Sequence, residues 1–167
     1  MRKLKLSALL TLLTLFTLTF SSCEEENLDE EALYQNRTIA MTGAQEVPAV
    51  TTTATGNINA EYSKLTKTLY YTVSWTGLTG PVAGMHIHGL ADPGFNAGIV
   101  QNIITASNGI TTPSATRFGT SGSFSASMYV DGVAVKEEDL LAGKFYINIH
   151  TATYPNGEIR GQIVLNP

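Results

Sequence analysis

The chain has 167 residues, 14 Asp and Glu against 10 Lys and Arg for a formal net charge of −4, three histidines and one cysteine. No basic patch is present, which argues against nucleic acid as a partner, and one cysteine excludes an internal disulfide. Apolar residues make up 43% of the chain, enough for one buried core.

The first five residues, "MRKLK", carry three positive charges. They lead into "LSALLTLLTLFTLTF" (roughly 15 residues), shorter than the about 20 needed to span a bilayer. A basic start and a short apolar run define a secretory signal over residues 1–22. Ser21-Ser22-Cys23 then resembles the bacterial lipobox, with Phe20 where Leu, Val or Ile is usual. The resemblance implies that the signal is cut before Cys23 and that its sulfur takes a diacylglycerol. Acyl chains contribute about 0.8 kcal/mol per buried CH₂, so the chain is expected to reach a membrane through a lipid anchor, labelled by palmitate.

Six acids lie within Glu24–Glu31, with no base before Arg37. This run has too little apolar surface to offset its chain entropy, so residues 23–37 read as the lipidated cysteine and a disordered acidic tether. An acidic run there also resembles the signal that sends some Gram-negative lipoproteins to the outer face of the outer membrane; a plain solvated spacer is the alternative. The expected location is therefore the bacterial cell envelope. Without the three signal-segment bases the chain carries 7 bases and 14 acids, a net −7, whereas from residue 38 onward 6 bases face 8 acids.

Residues 38–167, about 130, suit one domain. Short period-two runs dominate. "TLYYTVSW" sets Leu69, Tyr71, Val73 and Trp75 on one face, "GSFSASMYV" groups Phe124, Ala126 and Met128, and "KFYINIH" groups Phe145, Ile147 and Ile149. Turn signals separate them at Thr76-Gly77, Asp92-Pro93-Gly94, Asp131-Gly132 and Pro155-Asn156-Gly157. "VKEEDLLAG" is the one helical segment, ending at Gly143 and bridging two strands. The expected fold is all-β: an antiparallel β-sandwich with one short helix. A weak internal echo, Ile87-His88 then Pro93 and Ile149-His150 then Pro155, gives two strand–loop–strand units with His88 and His150 in equivalent places.

Alternation places His86 and His88 opposite Met85 and Ile87, and Tyr146, Asn148 and His150 opposite the apolar face of their own strand. All three histidines are expected on the outside of the sheet. On neighbouring strands, with Cβ atoms about 5 Å apart, their rings can share a metal at about 2.0–2.1 Å. Two readings stay open: a metal site, or the polar face of amphipathic strands. Water or a carboxylate would complete the site, with Glu158 best placed because the Pro-Asn-Gly turn returns its strand beside His150. Imidazole suits copper and zinc among other metals. Arg160 is expected to pair with Glu158 or Glu46 or to attract an anion, and Glu46, beside Pro48, reads as structural.

Together "MTGAQEVPAVTTTATG", "HIHGLADPGFNAGIV", "EEDLLAGKFYINIHT" and "YPNGEIRGQI" resemble the CHRD domain family over about residues 38–166, implying a β-sandwich with no settled reaction. "GLTGPVAGMHIHGL" is similar to the His-x-His stretch of copper/zinc superoxide dismutases, which implies a Greek-key arrangement with His150 as a late-strand ligand. The bridging histidine, the zinc-loop ligands and the cysteine pair of that family are missing. Gly-x-Ser-x-Gly and a phosphate-cradling Gly-Lys-Ser/Thr loop are also missing, and "TSGSFSAS" alternates as a strand. Three functions follow as expectations: a non-enzymatic surface binding module for a metal, protein or envelope polymer; a copper-type redox or metal-handling protein; or a structural assembly module.

Overall fold

Among the described residues, alternating β-branched and aromatic side chains fold as eight strands: β1 (Leu33–Thr42), β2 (Thr55–Ser63), β3 (Thr68–Thr76), β4 (Val82–Gly89), β5 (Ile99–Ile104), β6 (Gly122–Tyr129), β7 (Phe145–Thr151) and β8 (Ile159–Gln162). The computed structural model describes residues 33–104 and 118–166, with 33–37 described by backbone alone. The signal segment, Cys23 and the acidic run lie outside the described residues. β1 opens at Leu33, paired with Ser63, so residues 33–37 belong to the sheet and not to the expected tether.

Every pairing is antiparallel, and the strands form one sheet in the order β5-β4-β7-β8-β1-β2-β3-β6. Its two edges meet through side chains. Gln101 on β5 donates from Nε2 to the Ser127 carbonyl of β6 at 2.8 Å and accepts from the Tyr71 hydroxyl at 2.9 Å. The sheet thus curls nearly closed around a single core, an all-β antiparallel fold as expected, with one continuous ladder joining both layers. The short helix α1 (Glu137–Leu141) bridges β6 and β7, and Gly143 follows it at φ +70°.

Leu69, Val73, Phe145, Ile147 and Ile149 are fully buried, with Tyr71 and Trp75 close behind. Each such side chain stabilises the fold by about 1.5–3 kcal/mol. The sequence pattern thus assigns the core face correctly.

It does not describe the opposite face of β7 and β8. Tyr146, Asn148, Arg160 and Gln162 are buried too, so this part of the sheet has no open outer surface. The chain at 91–98, between β4 and β5, and the segment after β1 fold over it. Asn96 Nδ2 donates to the Val47 carbonyl at 2.8 Å, the Ala97 N–H to the Tyr146 hydroxyl at 3.2 Å, and Gln162 Nε2 to the Ala91 and Gly143 carbonyls at 2.9 and 2.7 Å. A second, polar layer therefore lies on the far side of the sheet from the apolar core.

Candidate metal centre

β4 and β7 are neighbours, and their register fixes the site. Gly84 stands opposite His150, His86 opposite Asn148, and His88 opposite Tyr146. Diagonal partners on such a pair are within reach of long side chains, and the contacts are diagonal. His86 Nδ1 lies 3.0 Å from His150 Nε2, and His88 Nε2 lies 3.0 Å from Asn148 Oδ1. Gly84 leaves the room that the first contact needs: a Cβ there would sit 3.2 Å from His86 Cε1. One ring nitrogen from each of His86, His88 and His150 lies within 4.8 Å of the others.

Backbone carbonyls orient two of the rings. His88 Nδ1 is 2.9 Å from the Ala97 carbonyl, and His150 Nδ1 is 2.9 Å from the Pro155 carbonyl. A carbonyl only accepts, so each Nδ1 carries the proton, and in the neutral ring each Nε2 presents a lone pair. Asn148 Oδ1 lies 2.9 Å from His150 Nε2 as well as 3.0 Å from His88 Nε2. The orientation of that amide follows from its other side, where Nδ2 lies beside the Glu46 carboxyl against Gly157 and helps to lower the Glu46 proton affinity, so the NH₂ faces the carboxyl and the oxygen faces the rings. Asn148 Oδ1, His88 Nε2 and His150 Nε2 then converge, and the one ring proton that reaches them is that of His86 Nδ1, directed at His150 Nε2.

Burial, reinforced by the neighbouring His150 and His88, holds His86 down to about 4, and burial also lowers His150. Both rings are neutral at pH 7 and able to ligate. A depression of about 440 Å³, bordered by Gly84, Ile99, Ile104 and Pro155, opens onto all three histidines.

His88 also stacks on Tyr146, with ring centroids 4.8 Å apart and planes 3° from parallel. Arg160, from β8 on the other side of β7, places Cζ 3.4 Å from the same ring centroid. Arg160 forms neither of the expected ion pairs: its guanidinium donates to Gln162 Oε1 at 3.2 Å and to Asn96 Oδ1 at 3.5 Å. Glu46 acts on it only through longer-range attraction.

Glu158 stands apart from the histidine cluster. Its carboxylate accepts from Thr52 Oγ1 at 2.9 Å, from the Thr79 N–H and hydroxyl at 3.0 and 2.7 Å, and from Thr151 Oγ1 at 2.7 Å. The reason is local. Gly157 turns the chain at φ +121°, and the Glu158 N–H donates to the Ile149 carbonyl at 2.7 Å although Ile149 pairs with Ile159. Two residues thus oppose one, which turns Glu158 away from His150. Burial pushes this carboxyl up, the threonine hydrogen bonds outweigh it, and the net shift is downward.

Strand parity brings Tyr146, Asn148, His150 and Arg160 to one layer, but it carries no sign of the Ala97 and Pro155 carbonyls that orient the rings, or of Glu46 behind Asn148. The Pro at 155 and the Gly at 157 were the nearest signals, marking a turn whose backbone faces inward.

An antiparallel all-β domain with a three-imidazole cluster on its polar layer defines the class. The chain matches the CHRD domain over residues 37–163, and it belongs to that family. Neither the curated proteins nor the solved structures include a match to the chain.

Proposed function

We propose that this CHRD domain is a non-enzymatic binding module and that its ligand is a copper or zinc ion held by His86, His88 and His150. One observation supports it above the rest: the Nε2 lone pairs of His88 and His150 point at one another's neighbourhood while their Nδ1 protons are committed to backbone carbonyls. Ligand imidazoles are oriented in this way by an outer hydrogen bond, and His86 Nδ1, facing His150 Nε2, completes a set of three ring nitrogens within 4.8 Å of one another. Bound, the ion would tie β4 to β7. An exported lipoprotein, anchored through Cys23 in the cell envelope, is the setting we infer from the N-terminal sequence.

The test is to purify the full chain, untagged and in mild detergent, expose it to copper and zinc, and measure bound metal. About one ion per chain is expected, lost in the triple His86→Ala, His88→Ala, His150→Ala variant. Metal-free protein in both samples would end this reading. Unchanged palmitate labelling of Cys23→Ala would reject the anchor.

A second reading, an envelope polymer or protein partner, is favoured by a separate depression of about 610 Å³ on β2, β3 and β6. It is lined by Asn59, Glu61, Tyr70, Thr72 and Ser125, with Tyr70 half-exposed. Loss of retention on an envelope-polysaccharide column in Tyr70→Ala is the expected result.

A further inference from the structure

The geometry points to Asn148 as a fourth ligand of the same site, its amide oxygen completing the three imidazoles, with Glu46 as the positioning residue behind it. The inference rests on the metal-binding reading above and gives the site its coordination shell.

Asn148 is only 3% exposed and sits at the centre of the β4–β7–β8 layer, opposite His86 on one side and Arg160 on the other. Its Oδ1 is the one atom within 3.0 Å of the Nε2 atoms of both His88 and His150. Were Asn148 only a structural amide, its NH₂ would face the rings and donate to the His88 Nε2 lone pair. Instead the NH₂ is drawn to Glu46. That residue is 6% exposed, and its Oε1 is a buried oxygen without a hydrogen-bond partner among the described residues. Glu46 is pressed into place by Gly157: a Cβ at that position would collide with the Glu46 carboxyl and lie 2.8 Å from Asn148 Nδ2. The carboxyl, the amide and the pair of imidazoles therefore form a line in which each group turns the next. A buried carboxyl that holds the NH₂ of the amide turns its carbonyl oxygen toward the rings, as outer partners orient ligand histidines.

Two consequences follow. With four protein ligands, the position that a hydrolytic zinc keeps for water is filled, in keeping with a binding role. All four ligands are neutral, so none of them offsets the ion's charge within the shell.

The experiment uses the full chain in mild detergent, with zinc alone followed by calorimetry and cobalt(II) followed by its visible spectrum. Asn148→Ala is expected to weaken zinc binding by about tenfold or more and to change the cobalt spectrum as water replaces the amide oxygen. Glu46→Gln combined with Asn148→Asp is expected to bind zinc about tenfold more tightly than Glu46→Gln alone, since a carboxylate replaces a neutral oxygen of the same shape with no second carboxylate facing it. If Asn148→Ala does not fold, the near-isosteric double variant still decides. Zinc affinity within about threefold of wild type in Asn148→Ala, or weaker binding in the double variant than in Glu46→Gln, overturns the fourth-ligand role and leaves three-histidine binding standing. Wild-type protein that binds neither ion overturns both.

Discussion

His86 Nδ1 lies 3.0 Å from His150 Nε2 across 64 residues of sequence, and glycine at position 84, directly opposite His150, makes that approach possible. A methyl group at Gly84 would meet His86 Cε1 at 3.2 Å, so the ring has to shift by a few tenths of an ångström. Gly84→Ala is therefore expected to lower zinc or copper affinity by about threefold to tenfold while changing metal-free stability by less than about 1 kcal/mol. Calorimetric titration beside a denaturant melt separates the two effects. Unaltered affinity would mean that the ring yields freely and that Gly84 does not set the site.

Tyr146 carries His88 against its ring and Arg160 over it. Tyr146→Leu removes both stacking contacts in a buried site and is expected to cost about 2–3 kcal/mol. Tyr146→Phe keeps the ring and loses only the hydroxyl that accepts from the Ala97 N–H, a loss of about 1 kcal/mol. Equal destabilisation of the two variants by urea would show that the stack contributes nothing.

Glu158 binds threonines from three different segments, Thr52, Thr79 and Thr151. Glu158→Gln is expected to destabilise by about 1–3 kcal/mol and to leave metal affinity unchanged. Its folded-state proton affinity is lowered, so the carboxylate contributes stability above its unfolded value that is lost as pH falls through the folded one. The Gln variant should therefore lose part of the wild type's acid sensitivity in a pH series of melts.

Glu46 and His86 pull the pH dependence of stability in opposite directions. Burial raises Glu46 from 4.5 to about 7, partly offset by Arg160 and Asn148, and lowers His86 from 6.5 to about 4. Between pH 4.5 and 6.5 the folded chain keeps a proton on Glu46 that the unfolded chain releases, and lacks one on His86 that the unfolded chain holds. Those two contributions cancel over this window. Glu46→Gln removes one side, leaving His86 and His150, so stability should rise with pH from about 4 to 6.5, with a slope of up to about 1.4 kcal/mol per pH unit for each proton. His86→Ala should shift the slope the other way, toward stability falling as pH rises from 4.5 through about 7, with His150 offsetting part of the Glu46 contribution. Matching pH profiles for wild type and Glu46→Gln would refute the coupling.

Much of the architecture was legible in the amino-acid order. Period-two alternation in "TLYYTVSW" and "KFYINIH" identified which side chains fill the core, because a pleated strand can send alternate residues only to opposite faces. The same parity put His86, His88, Tyr146, Asn148 and His150 on one layer. It failed at Glu158, where a glycine turn and a doubled residue opposite Ile149 reverse the face, and at the outer side of β7, where loops bury what alternation alone leaves in solvent.

By itself the sequence determined strand identity, the inward set, the family and the gathering of its histidines onto one strand face, since all of these follow from local periodicity and motif order. Only the tertiary structure decided that β4 lies beside β7, that Ala97 and Pro155 fix the ring protons, and that Glu46 stands behind Asn148. Those depend on strand register and on loops distant in the chain, and no local pattern of residues encodes which backbone carbonyl will arrive at which nitrogen.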